Sequence, residues 1–377
     1  MLRLVVSVLL LLLGLLVIVR APHHFLWMVA VAITSYPYLF MLFSLLPVIF
    51  SLYQEKYRWL ICACCTLSFV LYSLPVFAAY GQCRELPANL ATVFPHADTS
   101  GQLLQPFSIL AMFTGIGNNE GSYMPVVYTP KGQPPVSLDF YPSLLSGKRP
   151  VVVVIHGGSW QGGDSQQLPA LNSYLSSKGY NIASINYRLA PAFQSPAPVE
   201  DTKTAIAFLV AHSNELHIDT NHIVLLGRSA GAQVALVTAY ELGNRLVKGV
   251  ISFYGPADMV WGGQVTVSKW ILNTDEIYHN YFGGTYQQVP GKFKESSACE
   301  YVTASSPPTL IIHGKNDPLV AFEHGFHLQD KLNAAHVPNY FLQLPFATHG
   351  CDFNINGPDG QLTTYAVERF LHSITTQ

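Results

Sequence analysis

Gly227-Arg228-Ser229-Ala230-Gly231 is the segment of this chain best equipped for chemistry. It follows an apolar, strand-like run at residues 222–226 and precedes helical periodicity at 230–241. In a G-x-S-x-G turn between a strand and a helix, strained backbone projects the serine hydroxyl, and the glycines let neighbouring backbones pass. The N-terminus of the following helix adds positive potential beside any oxyanion that forms there. A serine hydroxyl is a weak nucleophile at neutral pH, so it needs a base, and the base needs an orienting group.

His349 and Asp317 fit those two roles. Asp317 lies in His313-Gly314-Lys315-Asn316-Asp317-Pro318, after an expected strand at 309–313, and His349 lies in Ala347-Thr348-His349-Gly350, after an expected strand at 340–344. The chain order Ser, Asp, His, with both partners just past strand ends, matches one of the known orders of this catalytic constellation. Taken alone, Asp317 before a proline would read as a turn former. Asp352 is the rival acid, but it sits three residues after His349 and in no separate strand loop. His313, His324, His327 and His336 are rival bases, each on a strand or in or before a helix, at the wrong point in the order.

His156-Gly157-Gly158-Ser159-Trp160 follows a β-branched run at 151–155. Consecutive glycines there can turn backbone N–H groups toward a substrate oxygen. Gly157 or Gly158 would supply one donor of an oxyanion hole, and Ala230 the other. The structural alternative is a tight turn that needs glycine for conformation only.

The elements needed to position these groups alternate along residues 121–377. Strands are expected at 125–128, 136–141, 151–155, 181–187, 222–226, 247–254, 309–313 and 340–344. Helices are expected at 166–178, 201–213, 230–241, 324–335 and 361–374. Such alternation implies an α/β domain with a mostly parallel sheet covered on both faces, and such sheets carry their reactive groups at the carboxyl ends of the strands. Residues 261–300 break the rhythm and read as an insertion over the sheet.

Half of the 377 residues are hydrophobic and only 11% are charged, against roughly 25% charged in soluble proteins. The deficit sits in residues 1–83, whose formal charges are Arg3, Arg20, Glu55, Lys56 and Arg58 alone. Apolar runs at 4–19, 25–53 and 59–80 predict an α-helical membrane anchor of about three spans, since about 20 residues cross the hydrocarbon core. A cleaved signal sequence followed by two spans is the rival, although no small-x-small cleavage site follows residue 19. The balance of Lys56 and Arg58 against Arg20 and Arg84 puts the amino terminus in the cytoplasm and the C-terminal domain outside. Residues 84–120 read as a linker and lead-in with one apolar patch at 103–113. A net charge of −2 gives no basic excess for nucleic acid. There is no zinc spacing, and the chemistry calls for neither cofactor nor metal; a Cys299–Cys351 bridge is one open pairing.

Residues 120–377 resemble the esterase and lipase side of the α/β-hydrolase fold, chiefly the kynurenine formamidase-like and isoprenylcysteine methylesterase-like enzymes, with the hormone-sensitive-lipase-like esterases as wider relatives. The resemblance rests on His156–Trp160, Asn186-Tyr187-Arg188-Leu189-Ala190-Pro191, Pro198–Asp201, Gly227–Gly231 and the Asp317 and His349 contexts. It implies a triad of Ser229, Asp317 and His349, an architectural role for Arg188 and Asp201, and a small-molecule or lipid-like ester as substrate. Ser159 stands where lipase-like relatives carry a third glycine. Three further classes compete with ester hydrolysis: acyl transfer on the same triad, amide cleavage, and a non-catalytic binding domain, which an intact triad disfavours.

Overall fold

Val151, Val153 and Ile155 are buried in one hydrophobic core and the intervening Val152 and Val154 in another. Successive side chains of a strand point to opposite faces, so this β-branched run is covered on both sides, as a central parallel strand must be. The computed structural model describes residues 1–51, 56–95, 105–117, 121–130, 132 and 134–375.

Eight strands form one sheet: β1 (Met124–Val127), β2 (Ser137–Tyr141), β3 (Arg149–Ile155), β4 (Asn181–Ile185), β5 (Ile218–Arg228), β6 (Val247–Phe253), β7 (Thr309–Gly314) and β8 (Asn339–Leu344). Their spatial order is β1-β2-β4-β3-β5-β6-β7-β8. β1 pairs with β2, and β2 with β4, antiparallel; the other pairs are parallel.

Four helices come first: α1 (Leu2–Gly14), α2 (His24–Ser35), α3 (Pro37–Ser51) and α4 (Arg58–Val93). After the short α5 (Ala111–Thr114), α6 (Pro169–Ser177), α7 (Ala197–Ala211) and α8 (Ala230–Leu242) alternate with the strands. The segment expected as an insertion carries the short helices α9 (Met259–Gly262), α10 (Thr274–Phe282) and α11 (Pro290–Glu295) between β6 and β7, and α12 (Glu323–Ala334) and α13 (Pro358–Thr375) complete the chain. One core holds residues of α7, α8, α12 and the insertion; the other holds residues of α6, α13 and α4.

The N-terminal region differs from three equal spans. α4 is, among the described residues, the one helix long and apolar enough to cross a membrane. α2 and α3 reach that length only as a pair bent by 94°. Pro37 is the cause: it disfavours αR backbone at the residue before it, and Tyr36 leaves the helix at φ −130°, ψ 49°. α1 is shorter and runs into a 3₁₀ turn, Leu15–Val17.

The boundary expected at residue 84 is also corrected. α4 continues to Val93, and Leu86, Leu90 and Phe94 are buried against the sheet, with Phe94 edge-on to Phe370. Of the prolines that suggested a linker, Pro87 lies inside the same helix, and Arg84 and Glu85 are exposed on its outer face. Of the apolar patch at 103–113, residues 103 and 104 lie outside the described residues, and the remainder includes α5. Cys299 and Cys351 are free thiols in opposite cores, so the sheet separates them.

Candidate active site

Ser229 stands between β5 and α8 with φ 53° and ψ −122°. A non-glycine residue rarely holds positive φ, and only surrounding structure that over-determines it keeps it there. The flanking glycines show how. A Cβ on Gly227 would run into the Gly231 carbonyl, and one on Gly231 would run into the Ile155 and His156 carbonyls. Close packing of β3, β5 and α8 therefore demands both glycines and leaves the Ser229 side chain turned out from the crossing.

His349 Nε2 lies 3.0 Å from Ser229 Oγ, and His349 Nδ1 lies 2.7 Å from Asp317 Oδ2. Three residues separated by up to 120 positions thus form one hydrogen-bonded line. Asp317 Oδ1 accepts the backbone amides of Leu319 and Val320 at 2.8 and 3.0 Å. Its other oxygen also receives His313 Nε2 at 3.0 Å. That nitrogen sits 3.1 Å from the Val320 carbonyl as well; both neighbours are acceptors, so Nε2 carries a proton and donates. Burial by itself would raise the Asp317 carboxyl, but His349 and His313 beside it carry it well below the usual carboxylate range. Asp317 is therefore a carboxylate, and His349 must present Nδ1–H to it, leaving Nε2 free to accept the Ser229 proton.

The rival acid and one of the four rival bases are placed differently. Asp352 accepts Arg228 Nε at 2.5 Å and Tyr254 Oη at 2.6 Å, both fully buried below the serine turn. His313 joins the site as a second donor to Asp317 rather than as the base, a role that its position on a strand did not suggest. Arg188 and Asp201 pair through guanidinium and backbone at 2.8–3.0 Å, which ties the loop after β4 to α7.

The glycine turn after β3 separates its two candidate donors. Gly157 N–H already donates to Gln167 Oε1 at 2.6 Å. Gly158, at φ 120°, and Ala230 have amides engaged by no hydrogen bond among the described residues. Trp160, two residues on, stacks on Tyr281 of the insertion at 4.3 Å and donates to Gln233 Oε1 of α8 at 3.0 Å. His156 is stacked on Tyr187, and burial lowers its pKa, which favours a neutral ring.

Two cavities meet at Ser229. A small cleft of about 60 Å³ lies beneath the insertion, lined by Trp160, Val265, Ile277, Tyr278 and His324, whose pKa burial pushes down to about 3. A larger cavity of about 670 Å³ opens on the other side, and His24, Trp27, Met28, Val31 and Ala32 of α2 form one of its walls. The N-terminal region is thus part of the site. Trp27 Nε1 donates to the His349 carbonyl at 3.0 Å, Asn316 Nδ2 to the Val17 carbonyl at 2.7 Å, and Asn354 Nδ2 to the Ser35 carbonyl at 2.9 Å. These bonds stitch residues 17–35 to the two loops that carry Asp317 and His349.

Known proteins are similar to parts of this chain. Esterase LipC of Mycobacterium tuberculosis is 29% identical over 60% of this chain and 58% of its own length. The probable isoprenylcysteine alpha-carbonyl methylesterase ICMEL1 of Arabidopsis thaliana is 27% identical over 49% of this chain and 42% of its own. The chain thus spans about half the length of the relatives it matches. Among solved structures, the thermostable carboxylesterase EstE1 from a metagenomic library has a TM-score of 0.59 at 19% identity, over 78% of this chain and 97% of that one. The butyrate-bound esterase Est2 of Thermogutta terrifontis has a TM-score of 0.54 at 22% identity, over 66% and 91%. Both share the α/β-hydrolase fold seen here. The BD-FAE family profile matches residues 138–332, more than half of the chain and the part that holds β2 to α12. This protein, with its α/β-hydrolase sheet and its serine turn between β5 and α8, belongs to the BD-FAE family.

Proposed function

We propose that this chain is a serine hydrolase that cleaves carboxylic esters through an acyl-enzyme on Ser229. One observation carries the reading: the unbroken line from Ser229 Oγ through both nitrogens of His349 to Asp317 Oδ2. The esterase names of its relatives support the reaction class.

In the first half-reaction Ser229 Oγ attacks the ester carbonyl carbon, and its proton passes to His349 Nε2. The carbonyl oxygen becomes an oxyanion held by the open amides of Gly158 and Ala230. Removing one such donor typically costs about 3–4 kcal/mol of transition-state stabilisation. Collapse breaks the bond to the alcohol oxygen, which takes the proton back from His349 and leaves. Water then repeats the sequence on the acyl-serine, giving up its proton to His349 and releasing the acid and a restored Ser229. Asp317 holds the imidazole tautomer and stabilises the imidazolium without taking its proton.

Residues 1–93 are read as the membrane attachment, with α4 as the spanning helix and α2–α3 as a bent element that does not cross. Exposed Leu9, Leu12, Phe43, Ile49, Trp59 and Phe77 supply apolar surface suited to lipid. Lys56 just before α4 and Arg58 at its first position favour a cytoplasmic start for that helix and an extracytoplasmic catalytic domain.

A fluorophosphonate probe applied to the detergent-solubilised chain tests the nucleophile. Labelling is expected for the native sequence and absent in Ser229→Ala; equal labelling of both would remove the assignment. Retention of the chain in the membrane pellet after carbonate extraction tests the attachment, and full release would refute it.

A further inference from the structure

His24, Trp27, Met28, Val31 and Ala32 follow the i, i+3, i+4, i+7, i+8 spacing of one helical face, and all five line the larger cavity at Ser229. The stripe is about 12 Å long at 1.5 Å per residue. Leu168, Leu272, Leu319 and Phe353 line the cavity too, beside the polar Ser159 and Gln167, so the walls are mostly apolar. The two cavities at the serine are very unequal: about 670 Å³ on the α2 side against about 60 Å³ beneath the insertion. Substrate pockets commonly run to roughly 300–1,000 Å³. The smaller volume suits only a compact group, since one water needs on the order of 10–15 Å³ on the same measure. Met28 and Phe353 are each about half exposed as well as lining the cavity, so its mouth is apolar too.

We propose that the α2 stripe is the specificity wall of this enzyme, and that its substrates are esters with one aliphatic chain of medium length or longer and one compact group. The chain lies against α2, and the compact group occupies the cleft beneath the insertion. This rests on the ester hydrolase reading above. The polar contacts available along the α2 side are few, so selection there is by buried apolar area.

The long chain can belong to the acid or to the alcohol, and two substrate series separate these sources. Acid release is followed by titration for methyl butyrate, octanoate and dodecanoate, and for butyl, octyl and dodecyl acetate, all with the full detergent-solubilised chain. At least one series is expected to rise in kcat/KM by about tenfold or more from its shortest to its longer members. The series that rises tells which side of the ester faces α2. Val31→Trp, which fills the cavity, is expected to lower the ratio of long-chain to short-chain kcat/KM by about tenfold. Ala32→Leu, a smaller filling change, is expected to shift it in the same direction and serves if Val31→Trp does not fold. A flat response in both series, or a ratio unmoved by a folded filling variant, overturns the proposal while leaving the hydrolase intact. Loss of every ester activity together with loss of fluorophosphonate labelling in the native chain overturns both.

Discussion

The indole of Trp27 donates to the backbone carbonyl of His349 at 3.0 Å across 322 positions of sequence. The rings of the two residues also meet edge-on, 6.1 Å apart, and Tyr254 packs against the same imidazole at 4.4 Å. His349 is therefore held by a helix that begins at residue 24, outside the family-matched segment.

Trp27→Phe keeps the aromatic packing and removes the donor. A net hydrogen bond is worth about 0.5–1.5 kcal/mol, so kcat with a short ester is expected to fall about three- to tenfold. Because Trp27 acts through His349, the loss is expected in kcat more than in KM. Steady-state rates on methyl butyrate decide it; an unchanged kcat would show that the bond does not position the base.

Asp317→Asn is expected to lower kcat by about 10⁴, because an amide would favour the wrong His349 tautomer. Stability should follow the sign of its shift. A carboxyl held below its unfolded value near 4 contributes stability that is fully present above that value and is lost as pH falls through the folded one. Denaturant melts of native and Asn chains should therefore differ most at neutral pH and converge below about pH 4. A difference that grew on acidification would contradict the placement of Asp317 between two histidines.

Gly158→Ala sets a strained backbone against a fixed neighbour. The residue sits at φ 120°, and an added Cβ would strike the Gly162 carbonyl. Strain of this kind costs about 1–3 kcal/mol, and any shift of the turn also moves an oxyanion donor. Lower thermal stability and at least a hundredfold loss of kcat are expected together, the latter about the size seen on losing one such donor. Gly162→Ala is the control, since open space surrounds that position. Comparable effects in the two would exclude the conformational explanation.

Asp352→Leu leaves Arg228 buried without its carboxylate, and Nη1 and Nη2 of that arginine already have no hydrogen-bond partner among the described residues. Breaking a buried pair on one side typically costs about 3–5 kcal/mol. Chemical denaturation should show a loss of that order. A loss below about 1 kcal/mol would mean that solvent reaches the guanidinium.

Ser229, Asp317 and His349 were legible in the amino-acid order because each obeys a local rule. The serine turn needs glycines two positions either side, and the acid and base sit in loops directly after strands whose β-branched and apolar runs mark them. The parallel sheet followed from the same runs. Residues 261–300, read as an insertion, hold α10 and α11 between β6 and β7. His313 was weighed only as a rival base, because a strand histidine gives no sign of which carboxylate it will meet; the turn after β7 brings Asp317, four residues on, back to its Nε2.

The tertiary structure alone decided the role of the N-terminal region. Residues 24–35 are apolar on nearly every side, so their periodicity carries no phase to separate a lipid face from a pocket face. The reach of α4 past residue 84 was hidden for a related reason, since Arg84 and Glu85 mark only its exposed side while Leu86 and Leu90 hold the sheet. A turn is specified by the few residues within it. A cavity wall is specified by which distant surfaces pack together, and that is settled only when α2 closes over Ser229.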